Sequence, residues 1–287
     1  MDWQGRRESD NVEDRRGAGM GGRTAVVGGG VGTLVLALVV YFLGGDPRAV
    51  LNQQPVVAPQ DTSAPGPVQE SAAEAEQKHF IGVVLADTED VWHGVFKSAG
   101  ADYREPKLVL FRDAYPSGCG QAASAMGPFY CPADERVYLD LAFFDELANR
   151  FGAQGEFARA YVVAHEVGHH VQKLLGVSAR VHDAQMRGDE AQANALSVRL
   201  ELQADCLAGV WAARTQAQKH VLQAGDVESA LSAAAAVGDD RLQKAARGYV
   251  QPETFTHGSS AQRMQWFKRG MDGGAITACD TFSANAQ

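Results

Sequence analysis

The chain has 287 residues, 45% hydrophobic and 21% charged. That is ordinary for a globular protein and long enough for one large domain or two small ones. The formal net charge of −9 leaves no basic footprint, so nucleic acid is excluded as an expected partner.

Residues 1–24 are polar and rich in Gly and Arg, and their composition predicts a disordered head. Residues 25–45 contain an uncharged apolar run, Ala25 to Leu43, about the length that crosses a bilayer. The run is longer than a typical signal core and has no clear cleavage site, which favours an uncleaved transmembrane helix. Arg15, Arg16 and Arg23 precede it, whereas only Arg48 follows closely. The positive-inside rule then predicts a single-pass protein of the cell membrane, with a cytoplasmic N-terminus and an extracytoplasmic domain. Residues 46–78 hold Pro47, Pro55, Pro59, Pro65 and Pro67 and read as a flexible linker. The folded domain is expected over residues 79–287.

Thr88 is a good N-cap and predicts a first helix to about Ala99. Lys107 to Arg112 reads as a strand, and Gly118 to Gly127 as a loop. Phe129–Cys131 and Arg136–Asp140 flank the turn residues Pro132-Ala-Asp-Glu135 and predict a hairpin. Helices follow over Leu141 to Phe151, Gly155 to Leu175, Ala191 to Gln218, Val227 to Val237 and Ser259 to Met271. The class is α+β, mainly helical with a small antiparallel sheet, preceded by one transmembrane helix.

The four cysteines are Cys119, Cys131, Cys206 and Cys279. Four cysteines allow three disulfide pairings. Nearness in sequence favours Cys119 with Cys131, which leaves Cys206 with Cys279. A zinc site built from all four is disfavoured because no CxxC pair exists.

The Gly155 to Leu175 helix carries His165-Glu-Val-Gly-His169. Residues i and i+4 share a helix face, so both imidazoles reach one ion. Nitrogen donors suit zinc, and Glu166 stands beside them as a general base for a zinc-activated water. The rest of the helix is apolar, where two histidines and a glutamate are costly to bury without a partner. A catalytic zinc needs a third protein ligand. Glu201 supplies it from a later helix, with Asp205 four residues on to hold the far nitrogen of a ligand histidine, His165 in particular.

HExxH followed by ExxxD resembles the gluzincin branch of the zincin metallopeptidases, and more closely the bacterial neutral zinc metallopeptidase family. The resemblance rests on Gly127-Pro-Phe-Tyr-Cys-Pro132, the run Ala160 to Gln172, Glu201-Leu-Gln-Ala-Asp-Cys206, Gly238-Asp-Asp240 and Thr256-His-Gly-Ser-Ser260. It implies an α+β zincin fold, one zinc ion, hydrolysis of a peptide or protein substrate, and a membrane-anchored form. Thr256-His257 with Arg263 downstream is similar to a Thr-His-Pro segment of membrane zincins, with Gly258 where those have Pro. His257 is thus a candidate catalytic donor to the oxyanion. His170 points away from His169 and reads as supporting or structural. Asp239 and Asp240 read as a helix-end turn rather than a second ion site. Two other classes stay open: a zinc-containing binding or assembly factor that cleaves nothing, and a zinc hydrolase of a non-peptide bond.

Overall fold

The computed structural model describes residues 1–17, 68 and 70–283. Its first helix, α1 (Ala72–Ser98), starts well before Thr88. Ser71 caps it by accepting from the Glu74 N–H, and Glu74 reaches back to the Ser71 N–H, a closed capping box. Thr88 is buried inside this helix, where its hydroxyl donates to the Leu85 carbonyl at 2.7 Å. The cap signal at Thr88 was therefore spent within a helix, and residues 72–78 belong to the domain and not to a linker. The rest of the expected linker up to residue 67 lies outside the described residues.

Strand β1 (Val12–Asp14) pairs in parallel with β2 (Lys107–Phe111), Val12 opposite Leu108. A separate antiparallel hairpin follows, β3 (Ala114–Ser117) and β4 (Gly120–Ala123), of which β4 falls within the stretch expected to be a loop. Strands β5 (Phe129–Cys131) and β6 (Arg136–Asp140) form the expected antiparallel hairpin. Yet β6 also pairs in parallel with β2, giving the order β1-β2-β6-β5. The main sheet is thus mixed rather than antiparallel. Parallel pairing joins strands far apart in the chain, and local turn signals do not reveal it.

Behind the sheet come α2 (Ala142–Asn149), α3 (Glu156–Leu174), α4 (Val177–Gln185), α5 (Glu190–Lys219), α6 (Asp226–Ala236), α7 (Asp239–Arg247) and α8 (Ser260–Gly273). Helices α4 and α7 were not expected. Both are only nine residues long and mostly polar, so few apolar residues mark them. Helix α3 buries Phe157, Tyr161, Val163, Val167 and Val171 in the main core, beside Trp211 and Phe267. Three glycines let the site helices approach backbone to backbone. A Cβ on Gly168 of α3 would stand 3.0 Å from the Ala204 carbonyl of α5. Cβ atoms on Gly209 of α5 and Gly270 of α8 would overlap the facing carbonyls of Phe267 and Cys206. Both favoured disulfides form, Cys119–Cys131 and Cys206–Cys279, the second tying α5 to the C-terminal segment.

Two expectations for the N-terminal part are corrected. Residues 1–17 are ordered on the domain, not a disordered head. Trp3 is buried and its ring N–H donates to Glu156 at 2.8 Å. Arg6 pairs with Asp87, and Arg7 with Glu89 at 3.0 Å and Asp90 at 2.8 Å. The head's polar composition misled because Arg6 and Arg7 find carboxylates on α1 and Arg16 finds Asp14 and Glu70.

The membrane arrangement is also overturned: among the described residues no helix is long and apolar enough to cross a membrane. Residues 25–45, on which that expectation rested, lie outside the described residues. The positive-inside argument further required the head and the domain to face opposite sides of a bilayer. Their packing, with β1 in the same sheet as β2, puts them on one side. Single-pass membrane localisation is not supported.

Candidate metal centre

His165, Glu166 and His169 lie near the middle of α3, and Glu201 and Asp205 on the facing stretch of α5. The close approach at Gly168 brings the two faces together. One donor atom from each of His165, His169 and Glu201 lies within 4.8 Å of the others. His165 Nε2 is 3.2 Å from Glu201 Oε2, and His169 Nε2 is 3.4 Å from Glu201 Oε1. The two imidazole planes are nearly perpendicular, 89°, with centroids 4.8 Å apart. Two nitrogens and one carboxylate converging with both Nε2 atoms inward fit zinc chemically, and they leave a coordination position for water.

The far side of His165 is held by Asp205, which is fully buried. His165 Nδ1 lies 2.9 Å from Asp205 Oδ1. Arg263 of α8 donates to both carboxylate oxygens, Nε to Oδ2 at 2.8 Å and Nη2 to Oδ1 at 2.9 Å. Tyr161 donates its hydroxyl to the same Oδ1. The contact between Gly270 and Cys206 is what lets α8 come close enough to deliver Arg263. His169 Nδ1 lies 2.9 Å from Gln172 Oε1. Gln172 was not singled out in the sequence. Its only signal there is a polar side chain at i+3 from a ligand histidine, on an otherwise apolar helix.

Burial and charge set the protonation of these groups. Burial pushes the Glu166 carboxyl above its ordinary value, against the charges of His165 and His169. A raised carboxyl is better matched to proton transfer near neutral pH. The backbone N–H of Tyr130, on the edge strand β5, acts in the lowering sense. Burial works to lower His165, but Asp205 and Glu201 outweigh it and lift the metal-free imidazole to about 10. Burial likewise opposes the carboxylate forms of Glu201 and Asp205. The neighbouring histidines hold Glu201 well below its ordinary value, and Arg263 first, then His165, hold Asp205 down.

His257 is half exposed, and its described hydrogen bonds go to Asp239 and Thr256, at 3.2 and 3.0 Å. It does not join the convergent set, although its charge helps to lower Glu201. Partial burial lowers its own pKa, and the bond to Asp239 and the charge of Glu201 more than compensate. Asp239 Oδ2 accepts the backbone N–H of Thr256, His257 and Gly258, at 2.7, 2.6 and 3.0 Å. Asp240 accepts the Ser260 N–H at 2.7 Å. Both stand in the first turn of α7, a helix where a turn was expected, and their carboxylates organise the loop before α8. His170 bridges α3 to the edge strand: Nε2 faces the Arg104 carbonyl at 2.6 Å and Nδ1 the Tyr130 hydroxyl at 3.0 Å.

The sequence model of the family described as "Putative neutral zinc metallopeptidase" matches residues 1–282. The chain is 50% identical over 289 residues to the uncharacterized protein YpfJ of Escherichia coli K12, covering 98% of this chain and 99% of that protein. It is 44% identical over 254 residues to the uncharacterized protein Rv2575 of Mycobacterium tuberculosis H37Rv, 85% of each. The uncharacterized protein Mb2605 of Mycobacterium bovis is similar to the same extent. No solved structure matches the chain.

Proposed function

The chain belongs to the neutral zinc metallopeptidase family, and from that premise we propose that it is a zinc-dependent endopeptidase with one zinc held by His165, His169 and Glu201. The observation that carries this reading is the convergence of both Nε2 atoms on the Glu201 carboxylate with Glu166 buried beside them. A site meant only to hold zinc structurally takes four protein ligands and has no use for a base. Here three ligands converge, and the Glu166 carboxylate is kept out of the set by its place on the helix.

Zinc in this site would supply a Lewis acid for the scissile carbonyl and an acidified water. Glu166 accepts the proton from the attacking water and passes it to the leaving amine. Its raised pKa suits both transfers. Asp205 holds His165 with Nδ1 protonated, which leaves the Nε2 lone pair free. Strand β5 lies at the edge of the sheet, and an extended peptide substrate would pair along it, next to Glu166. His257 stands at the rim as a donor to the developing oxyanion.

The test is digestion of a peptide library by the zinc-loaded chain, with and without a chelator. Chelator-sensitive cleavage within peptides is expected. Bound zinc without cleavage would replace this reading with a non-catalytic zinc protein. Chelator-sensitive turnover confined to other bonds would replace it with a different hydrolase.

A further inference from the structure

Gln172 is fully buried, so its amide must find partners. Its Nε2 lies 2.6 Å from the Leu200 carbonyl. A carbonyl only accepts, so the nitrogen end of the amide is fixed there. The same Nε2 lies 3.2 Å from Gln203 Oε1. Gln203 is oriented by the same logic, because its Nε2 lies 2.9 Å from the Cys279 carbonyl. Neither amide can flip without setting donors against donors or oxygens against oxygens.

The oxygen of Gln172 therefore faces His169 Nδ1 at 2.9 Å. An amide oxygen cannot donate, so Nδ1 carries the proton and the lone pair of the neutral ring sits on Nε2, the atom turned toward Glu201. Leu200, gripped by the other end of Gln172, directly precedes Glu201 on α5. One side chain thus orients the second histidine and ties it to the backbone beside the carboxylate.

We infer that Gln172 is a positioning residue of the metal centre: it fixes the Nδ1–H tautomer of His169 and holds that ring in register with Glu201. The inference rests on the metal-site reading above. Asp205 does the corresponding work for His165 with a charge. Gln172 does it without one, in a site that already gathers the carboxylates of Glu166, Glu201 and Asp205. A second carboxylate behind a histidine would have to be buried without the cation that Arg263 gives Asp205.

The test uses the full chain with Gln172→Met, which keeps the length but neither accepts nor donates usefully, and Gln172→Glu, which still accepts but cannot donate to Leu200. Zinc affinity is measured by competition with a chromophoric chelator. Proton NMR of the zinc-loaded protein follows the imidazole Nδ1–H signals of His165 and His169. Gln172→Met is expected to weaken zinc binding about 10- to 100-fold, the usual effect of losing a partner behind a ligand. It should also expose the His169 Nδ1–H to rapid solvent exchange while leaving the His165 signal protected. Gln172→Glu is expected to keep the His169 signal and still bind zinc more weakly. Wild-type affinity and an undisturbed His169 signal in Gln172→Met would overturn the inference alone. If that variant fails to fold, loss of the His169 signal in a folded Gln172→Glu overturns it. Failure of the unaltered chain to bind zinc would instead overturn the metal-site reading, and this inference with it.

Discussion

His165 Nδ1 lies 2.9 Å from Asp205 Oδ1, and that same oxygen accepts from Arg263 and Tyr161. The carboxylate therefore serves two masters. It orients His165, a candidate metal ligand, and it neutralises the buried guanidinium of Arg263 on α8. Asp205→Asn is expected to fail at both. Leaving Arg263 buried without its partner should destabilise the fold by about 3–5 kcal/mol. Zinc affinity should fall about 10- to 100-fold in the protein that remains folded. Denaturant unfolding and chelator competition measure the two effects separately. Loss of stability with unchanged zinc affinity would mean that Asp205 is a structural ion-pair partner only.

The glycines at the helix contacts make a graded prediction. At Gly168 an added Cβ meets the Ala204 carbonyl at 3.0 Å, whereas at Gly270 it overlaps the Cys206 carbonyl. Gly168→Ala should cost roughly 1–3 kcal/mol by overpacking, and Gly270→Ala more. Because Gly168 sits between His165 and His169, its substitution should also loosen zinc binding. Thermal unfolding with and without zinc checks the order. Equal stability of the two variants would contradict the packing described.

The order of residues 1–17 can be tested by hydrogen exchange. Amides of the strand Val12–Asp14 that bond into the sheet should be protected to nearly the same extent as those of Lys107–Phe111. Trp3→Ala should lower stability by about 3–5 kcal/mol, as for other large buried aromatic deletions. Immediate exchange throughout the first seventeen residues would contradict the docked segment.

Zinc binding should depend steeply on pH. The metal-free His165 imidazole has its pKa raised from 6.5 to about 10 by Asp205 and Glu201, against the effect of burial. Its contribution to the stability of the metal-free fold is fully present below about pH 6.5 and is lost as pH rises through about 10. Zinc requires the neutral ring, so below that upper value binding must displace a proton. Apparent zinc affinity is expected to rise with pH between 6 and 9, accompanied by proton release. Calorimetry in buffers of different ionisation enthalpy measures that release directly. No proton release at pH 7 would show that His165 is already neutral.

The convergence of His165 and His169, with Glu166 between them, was legible because helical spacing alone puts the two histidines on one face. Glu201 and Asp205 were legible for the same reason, and α3 and α5 were marked by long runs without proline. What the sequence did not reveal depends on contacts between distant segments. Gln172 matters through the direction of one amide, which the Leu200 carbonyl decides. The start of α1 at Ala72 lay within a stretch whose prolines suggested a linker, and Thr88 imitated a cap while bonding back to Leu85. The polar head lacked any apolar stripe, because ion pairs with Asp87, Glu89 and Asp90 and one buried Trp3 hold it. The apolar run after it was read from its length, its lack of charge and its flanking arginines, none of which says what packs on either side.

The central claim is that Glu166 is a base in a zinc site and not a part of the cage. Glu166→Gln separates these directly, through zinc content and peptide cleavage measured on the same preparation. The account predicts one zinc per chain, as in the unaltered protein, with cleavage lowered by about a hundredfold to ten-thousandfold, the range for a lost general base. Cleavage at the unaltered rate, or loss of the zinc, would contradict it.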